Sequence, residues 1–143
     1  MAAAWGAGIF QDDMATDFSA QIVESDGLAV LRRTFDDAAR ARGHLLYEPA
    51  VRTLIAAEVL AALGGRPTRA LPPELQDWIS GRQGEAIPEA LWPLSRLAVE
   101  RVKDDSEISE LWARSDAFAR WIDKVDDLLS RLAQSDVAGT SLG

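Results

Sequence analysis

Glu58 is the residue of this chain whose type and position most invite chemistry. At about 100° per residue, Val51, Leu54, Ile55, Glu58 and Ala62 share one face of a helix, and Glu58 lies near its middle. An ionised carboxylate on a buried face must be answered by donors or a cation, or it keeps its proton. Two accounts follow. In the first, Glu58 accepts hydrogen bonds from a docked N-terminal loop, from backbone N–H groups around Gly6 and Gly8 or from the Trp5 indole. In the second, it serves as a metal ligand or general acid/base with Asp13 and Asp17, assisted by His44 or Glu48. The first is preferred, because docking also explains the glycines and the tryptophan.

Asp12, Asp13 and Asp17 form the next cluster. Carboxylates at i and i+4 face one another on a helix and could share a hard cation, but they repel when nothing positive intervenes. Capping is the simpler account, since free N–H groups and the macrodipole favour acids in a first turn. His44 is the single histidine, which rules out a two-histidine metal site within one chain. Serines and aspartates for a Ser-His-Asp triad exist, but no Gly-x-Ser-x-Gly elbow accompanies them. Gly6-Ala-Gly8 follows no strand and Gly64-Gly65 follows a helix, so neither has the setting of a phosphate loop.

The elements that must position these residues read as helices throughout. Alanine and leucine dominate the apolar set, and no segment alternates with period two. Trp5, Ile9 and Phe10 with two glycines make residues 5–11 a compact loop with something to bury. Asp12 or Asp13 caps a first helix to about Glu24, with Met14, Phe18 and Ile22 as its stripe. A second runs from the Ser25-Asp26-Gly27 turn to about Arg42, burying Leu28, Leu31, Phe35 and Ala39, with Gly43 as its stop. Pro49 suits the first position of a third helix ending at Leu63. A short helix spans 74–80, and a fifth runs from Pro88 to about Lys103, with Pro93 expected to break or kink its first turn. Ser106 caps a brief helix through Arg114. Ser115 or Asp116 caps the last, where Phe118, Ile122, Val125, Leu129 and Leu132 form a stripe. The expectation is an all-α, single-domain bundle of six to seven helices over residues 1–135. A glycine-containing N-terminal loop docks on the central helix, and a flexible tail follows at 136–143.

Composition narrows the function classes. The 143 residues suit one domain able to bury roughly 70% of its unfolded surface. A formal charge of -8 argues against binding nucleic acid, whose phosphates call for Lys and Arg. There is no cysteine, so disulfides, zinc-thiolate sites and thiol catalysis are absent. The start shows no signal-peptide pattern and the longest apolar run is too short for a membrane span, so a cytoplasmic location is expected. Trp78, Trp92, Trp112 and Trp121 sit at helical spacing in or beside apolar stripes, and one left at the surface would mark an interface. The acidic pairs Asp36-Asp37, Asp104-Asp105 and Asp126-Asp127 read as solvated helix faces that together attract a basic partner.

The opening Trp5-Gly-Ala-Gly-Ile-Phe-Gln-Asp-Asp-Met-Ala-Thr-Asp17 resembles the start of a bacterial domain-of-unknown-function family, DUF4259, which opens Trp-Gly-x-Gly-x-Phe-x-Asn-Asp-x-Ala-x-Asp. The likeness continues in Ala57-Glu-Val59 with the following Gly-Gly-Arg-Pro, in Ala98-Val-Glu-Arg-Val102 and in Ser106-Glu-Ile-Ser-Glu-Leu-Trp112. Asp12 departs from the family's Asn. The resemblance implies a shared fold and N-terminal device and an association with toxin-neutralising immunity proteins, but no activity. The expected function is a non-catalytic acidic binding module for a protein partner, such as a basic toxin, with no cofactor. Its site residues are Trp5, Gly6, Gly8, Phe10, Asp13, Asp17 and Glu58. The alternative is a carboxylate-based metal protein or hydrolase using Asp13, Asp17 and Glu58.

Overall fold

A computed structural model describes residues 13–68 and 71–141 of the chain. The described residues form seven helices and no strand, an all-α domain as the composition predicts. They are α1 (Asp13–Glu24), α2 (Gly27–Arg40), α3 (Tyr47–Leu63), α4 (Pro73–Ser80), α5 (Leu91–Asp104), α6 (Glu107–Ala113) and α7 (Phe118–Ser141). The loop carrying Trp5, Gly6, Gly8 and Phe10, expected to dock on the central helix, lies outside the described residues.

The bundle is built around α3. Its run from Ala50 to Ala62 is buried on every side except at Arg52, and α3 touches all six other helices. A helix that is apolar all round must be covered all round. The alanines at 50, 56, 57, 61 and 62 keep its surface narrow, so that neighbours approach closely. α2, α5 and α7 carry most of that cover, and their own buried stripes complete the core.

Those stripes differ in detail from the periodicity. In α2 the buried side is Gly27, Val30, Leu31, Phe35 and Ala38, rotated slightly from Leu28 and Ala39, which are half-buried. In α7 Trp121, Val125, Leu128 and Leu132 are buried apolar residues, and Phe118, Ile122 and Leu129 pack at the edge. Trp121 stacks on Trp112 at 6.5 Å and on Phe118 at 6.2 Å, which draws the stripe toward α6. None of the four helical tryptophans is left fully at the surface: Trp92 and Trp121 are buried, Trp78 and Trp112 partly so.

Two prolines fall where their missing N–H does no harm. α3 begins at Tyr47, so Pro49 is its third residue rather than its first. α5 begins at Leu91 rather than Pro88, so Pro93 sits in a first turn that lacks intrahelical partners in any case. The expected break at Pro93 is therefore absent. α7 is longer than its composition suggests. It runs past Gln134 to Ser141, with Ser135 buried and the Asp136 carboxylate on Arg96 at 3.1 Å.

Glycines 64 and 65 end α3 for two distinct reasons. Gly65 has φ +89, a conformation glycine adopts without strain. Gly64 lies so close to α5 and α7 that a Cβ would stand 2.6 Å from Ser135 Oγ and 2.9 Å from Trp92 Cη2. Gly64→Ala should therefore destabilise by about 1–3 kcal/mol through overpacking. Gly81→Ala is the control. Gly81 has φ -72 and would meet nothing nearer than 3.7 Å, so alanine there should stabilise by about 0.4–1 kcal/mol. Urea denaturation followed by tryptophan fluorescence reads both, and equal effects at the two sites would contradict this account.

Candidate functional site

Glu58 is buried as its helix face predicts, with only 1% of its surface exposed. Its partner is Arg131, from the far end of the chain. Arg131 Nη1 donates to Glu58 Oε1 at 2.8 Å and Nη2 donates to Oε2 at 3.1 Å, a fork-to-fork pair that satisfies both carboxylate oxygens. The same Nη1 reaches the Arg66 carbonyl at 3.1 Å, and Nε donates to Asp127 Oδ2 at 2.8 Å. Burial works against the guanidinium charge, but the hydrogen bonds and charges of Glu58 and then Asp127 outweigh it and hold the Arg131 pKa above its ordinary value.

The contact extends along the end of α3. Arg66 Nε donates to Gln134 Oε1 at 3.1 Å, and its Nη1 donates to the Gly64 carbonyl at 3.3 Å and to Ser135 Oγ at 3.4 Å. Ser135 Oγ donates in turn to the Arg131 carbonyl at 3.0 Å. The turn after α3 and the second half of α7 are thus joined by arginines reaching in both directions. Chemically, the arrangement neutralises a buried carboxylate with a partly buried guanidinium, whose other donors go to the Arg66 carbonyl and to Asp127.

Arg131, Arg66 and Asp127 are the residues that sequence reasoning missed. Asp127 was read as part of a solvated pair, and it is exposed, yet it orients Arg131 from one helical turn away. The available signal was Arg131 itself, an arginine set between Leu128 and Leu132 at the edge of the α7 stripe. The amide hydrogens expected from the loop at Trp5, Gly6 and Gly8 lie outside the described residues, as does the side chain of Asp13.

Asp17 is exposed on α1 and stands apart from the Glu58 pair. It lines a recess of about 300 Å³ with Met14, Phe18, Gln21, Glu48 and Arg52. Arg52 faces Glu48 one turn back on α3. A second recess of about 280 Å³ shares Phe18, Gln21 and Arg52 and opens toward Arg33 and Asp37 of α2. Among the described residues no three His, Asp or Glu side chains come together to hold a metal.

His44 marks the other end of α3. Its Nδ1 is 2.7 Å from Asp105 Oδ1 and its Nε2 is 3.1 Å from Glu110 Oε1, so both ring nitrogens face carboxylates and neither faces a serine hydroxyl. Around it, Arg101 Nη2 donates to the Ala41 and Gly43 carbonyls at 2.9 and 2.7 Å. The Leu45 amide donates to the Asp105 carbonyl at 3.0 Å, the Glu107 amide to the Leu45 carbonyl at 2.8 Å, and the Tyr47 amide to Glu107 Oε1 at 2.5 Å.

These features define an all-α bundle whose buried central helix is held by charge at its C-terminal end and by a polar clasp at its start. Residues 3–124 match the family model described as a domain of unknown function, DUF4259, and the chain belongs to that family. No curated protein and no solved structure matches it.

A double-mutant cycle tests the pair. Arg131→Ala strands the buried Glu58 carboxylate and should cost about 3–5 kcal/mol, while Glu58→Ala, which leaves a partly exposed guanidinium still paired with Asp127, should cost less. Glu58→Leu with Arg131→Met should recover most of that loss, because replacing both charges with apolar volume removes the desolvation penalty along with the attraction. Additive losses in thermal or urea unfolding would show that the two side chains do not act together.

Proposed function

We propose that this protein is a non-catalytic acidic binding module that acts in the cytoplasm on a basic protein partner, in the manner of a toxin-neutralising immunity protein. The observation that carries this reading is how the charges are partitioned. Arg40, Arg52, Arg82, Arg96, Arg101, Lys103 and Arg131 are each engaged by an acid of the same chain. The chain has 23 acids against 15 lysines and arginines. Its surplus therefore falls on side chains such as Asp17, Asp37, Asp77, Glu89, Asp116 and Asp123, which stand at the surface with no ion-pair partner among the described residues.

These pairs engage seven Lys or Arg and eight Asp or Glu, so they leave the acidic surplus of the sequence almost intact, and what remains for a partner is mainly negative. A rigid domain presenting such a field steers a positively charged protein into encounter, while the burial and packing behind it stay unchanged. No helix among the described residues is long and apolar enough to cross a membrane, which fits a partner met in solution.

Capture on the immobilised protein from host extract, followed by titration of the captured protein, tests the reading. A basic partner should bind at low salt, and raising salt from 50 to 300 mM should weaken it by roughly ten-fold or more, chiefly through slower association. Asp116→Lys with Asp123→Lys should slow association further while leaving stability within about 0.5 kcal/mol. Failure to retain any partner at low salt, or an affinity indifferent to salt, would overturn it.

A further inference from the structure

His44 is bonded in a way that a neutral imidazole does not permit. Both ring nitrogens meet groups that only accept: Asp105 Oδ1 at 2.7 Å and Glu110 Oε1 at 3.1 Å. A neutral ring has one N–H and one lone pair, so it serves one carboxylate and turns a lone pair toward the other. Two donors require the imidazolium. The two acids belong to different parts of the fold, Asp105 to the corner between α5 and α6 and Glu110 to α6 itself. His44 belongs to neither, since it lies in the connector from α2 to α3.

We infer that His44 is a proton-dependent clasp, which ties the α2–α3 connector to α6 when doubly protonated and gives up one of its two carboxylates when it loses a proton. The other charged groups at this corner set the balance. Arg101 of α5 approaches Asp105 Oδ2 at 3.7 Å and competes for it. Glu107 of α6 accepts from the Tyr47 amide at 2.5 Å and holds the start of α3 independently of the histidine. Arg42 stands two residues back on the connector itself. The hydrogen bond to Asp105 first, and Glu110 after it, raise the His44 pKa above 6.5 against the opposing effect of desolvation. A group raised in the folded state contributes stability that is complete below its unfolded value and is lost as pH rises through the folded one. The clasp is therefore closed in mildly acidic solution and loosens as the medium turns alkaline. The contacts nearest to it are the backbone pairings of Leu45 with Asp105 and Glu107, which form a parallel bridge between Leu45 and Ser106.

Because the chain has one histidine, it gives a single imidazole Hε1 resonance, and an NMR titration of the intact protein reads it without assignment ambiguity. The midpoint should lie above 6.5 in the wild type and fall in Glu110→Gln. Hydrogen exchange at the Leu45 and Glu107 amides, corrected for intrinsic rates, should be about three-fold or more faster at pH 8.5 than at pH 6. In His44→Gln, whose side-chain amide does not titrate, that dependence should vanish. A midpoint at or below 6.5 overturns the inference. So does exchange that is indifferent to pH, or that shifts equally in wild type and His44→Gln.

Discussion

The contact on which the rest of the molecule depends is the one between Glu58 and Arg131. It places a full charge in the helix that has least access to water, and everything near it is arranged to make that tolerable. The guanidinium fork matches the carboxylate, a carbonyl from the next turn takes a further N–H, and Asp127 holds the remaining edge. A buried pair of this kind contributes little net stability over an apolar alternative, because desolvation offsets most of the attraction. Its effect lies in geometry. An apolar helix surrounded by apolar neighbours could slide or rotate by a turn at modest expense, whereas α3 cannot do so without stranding a charge. The pair thereby sets the register of α7 against α3.

The two ends of α3 are secured by different means. At the C-terminal end, Gly64 lets α5 and α7 approach within the space of a methyl group, and Arg66 returns across the gap to Gln134 and Ser135. At the N-terminal end there is no side-chain cap on Leu46, and the tie comes from α5 and α6: Arg101 on the connector carbonyls, Glu107 on the Tyr47 amide, and His44 between two acids. The first arrangement rests on close packing and on an arginine that donates to an amide, a hydroxyl and a carbonyl. The second is exposed, and the two carboxylates of Asp105 and Glu110 hold the pKa of its histidine above the ordinary imidazole value.

The division of charges connects these contacts to the surface. Bases are drawn into pairs that orient helices, as Lys103 is to Asp126 at 2.7 Å and Arg96 to Asp136. Acids in excess of those pairs remain outside. Arginine suits these pairs because its fork is directional, while Arg32, Arg33, Arg42, Arg114, Arg120 and Lys124 stay exposed among the surplus carboxylates.

The sequence by itself determined the class of fold, the positions of most helices and the burial of Glu58, because helical periodicity and capping are local and need only neighbours within a turn or two. Ser106 shows this well: its side chain accepts from the Ser109 amide as the local pattern requires. Helix starts near Pro49 and Pro88 were less legible, since a proline is tolerated anywhere in a first turn and does not say which residue comes first. Tertiary structure alone decided the partner of Glu58. Seventy-odd residues separate it from Arg131, and although Arg131 stands at the edge of an apolar stripe, nothing within either helix says which distant acid it meets. The same holds for His44 with Asp105 and Glu110, about sixty residues apart. Periodicity reports that a charge is buried; only the packing of distant helices brings the opposite charge to it.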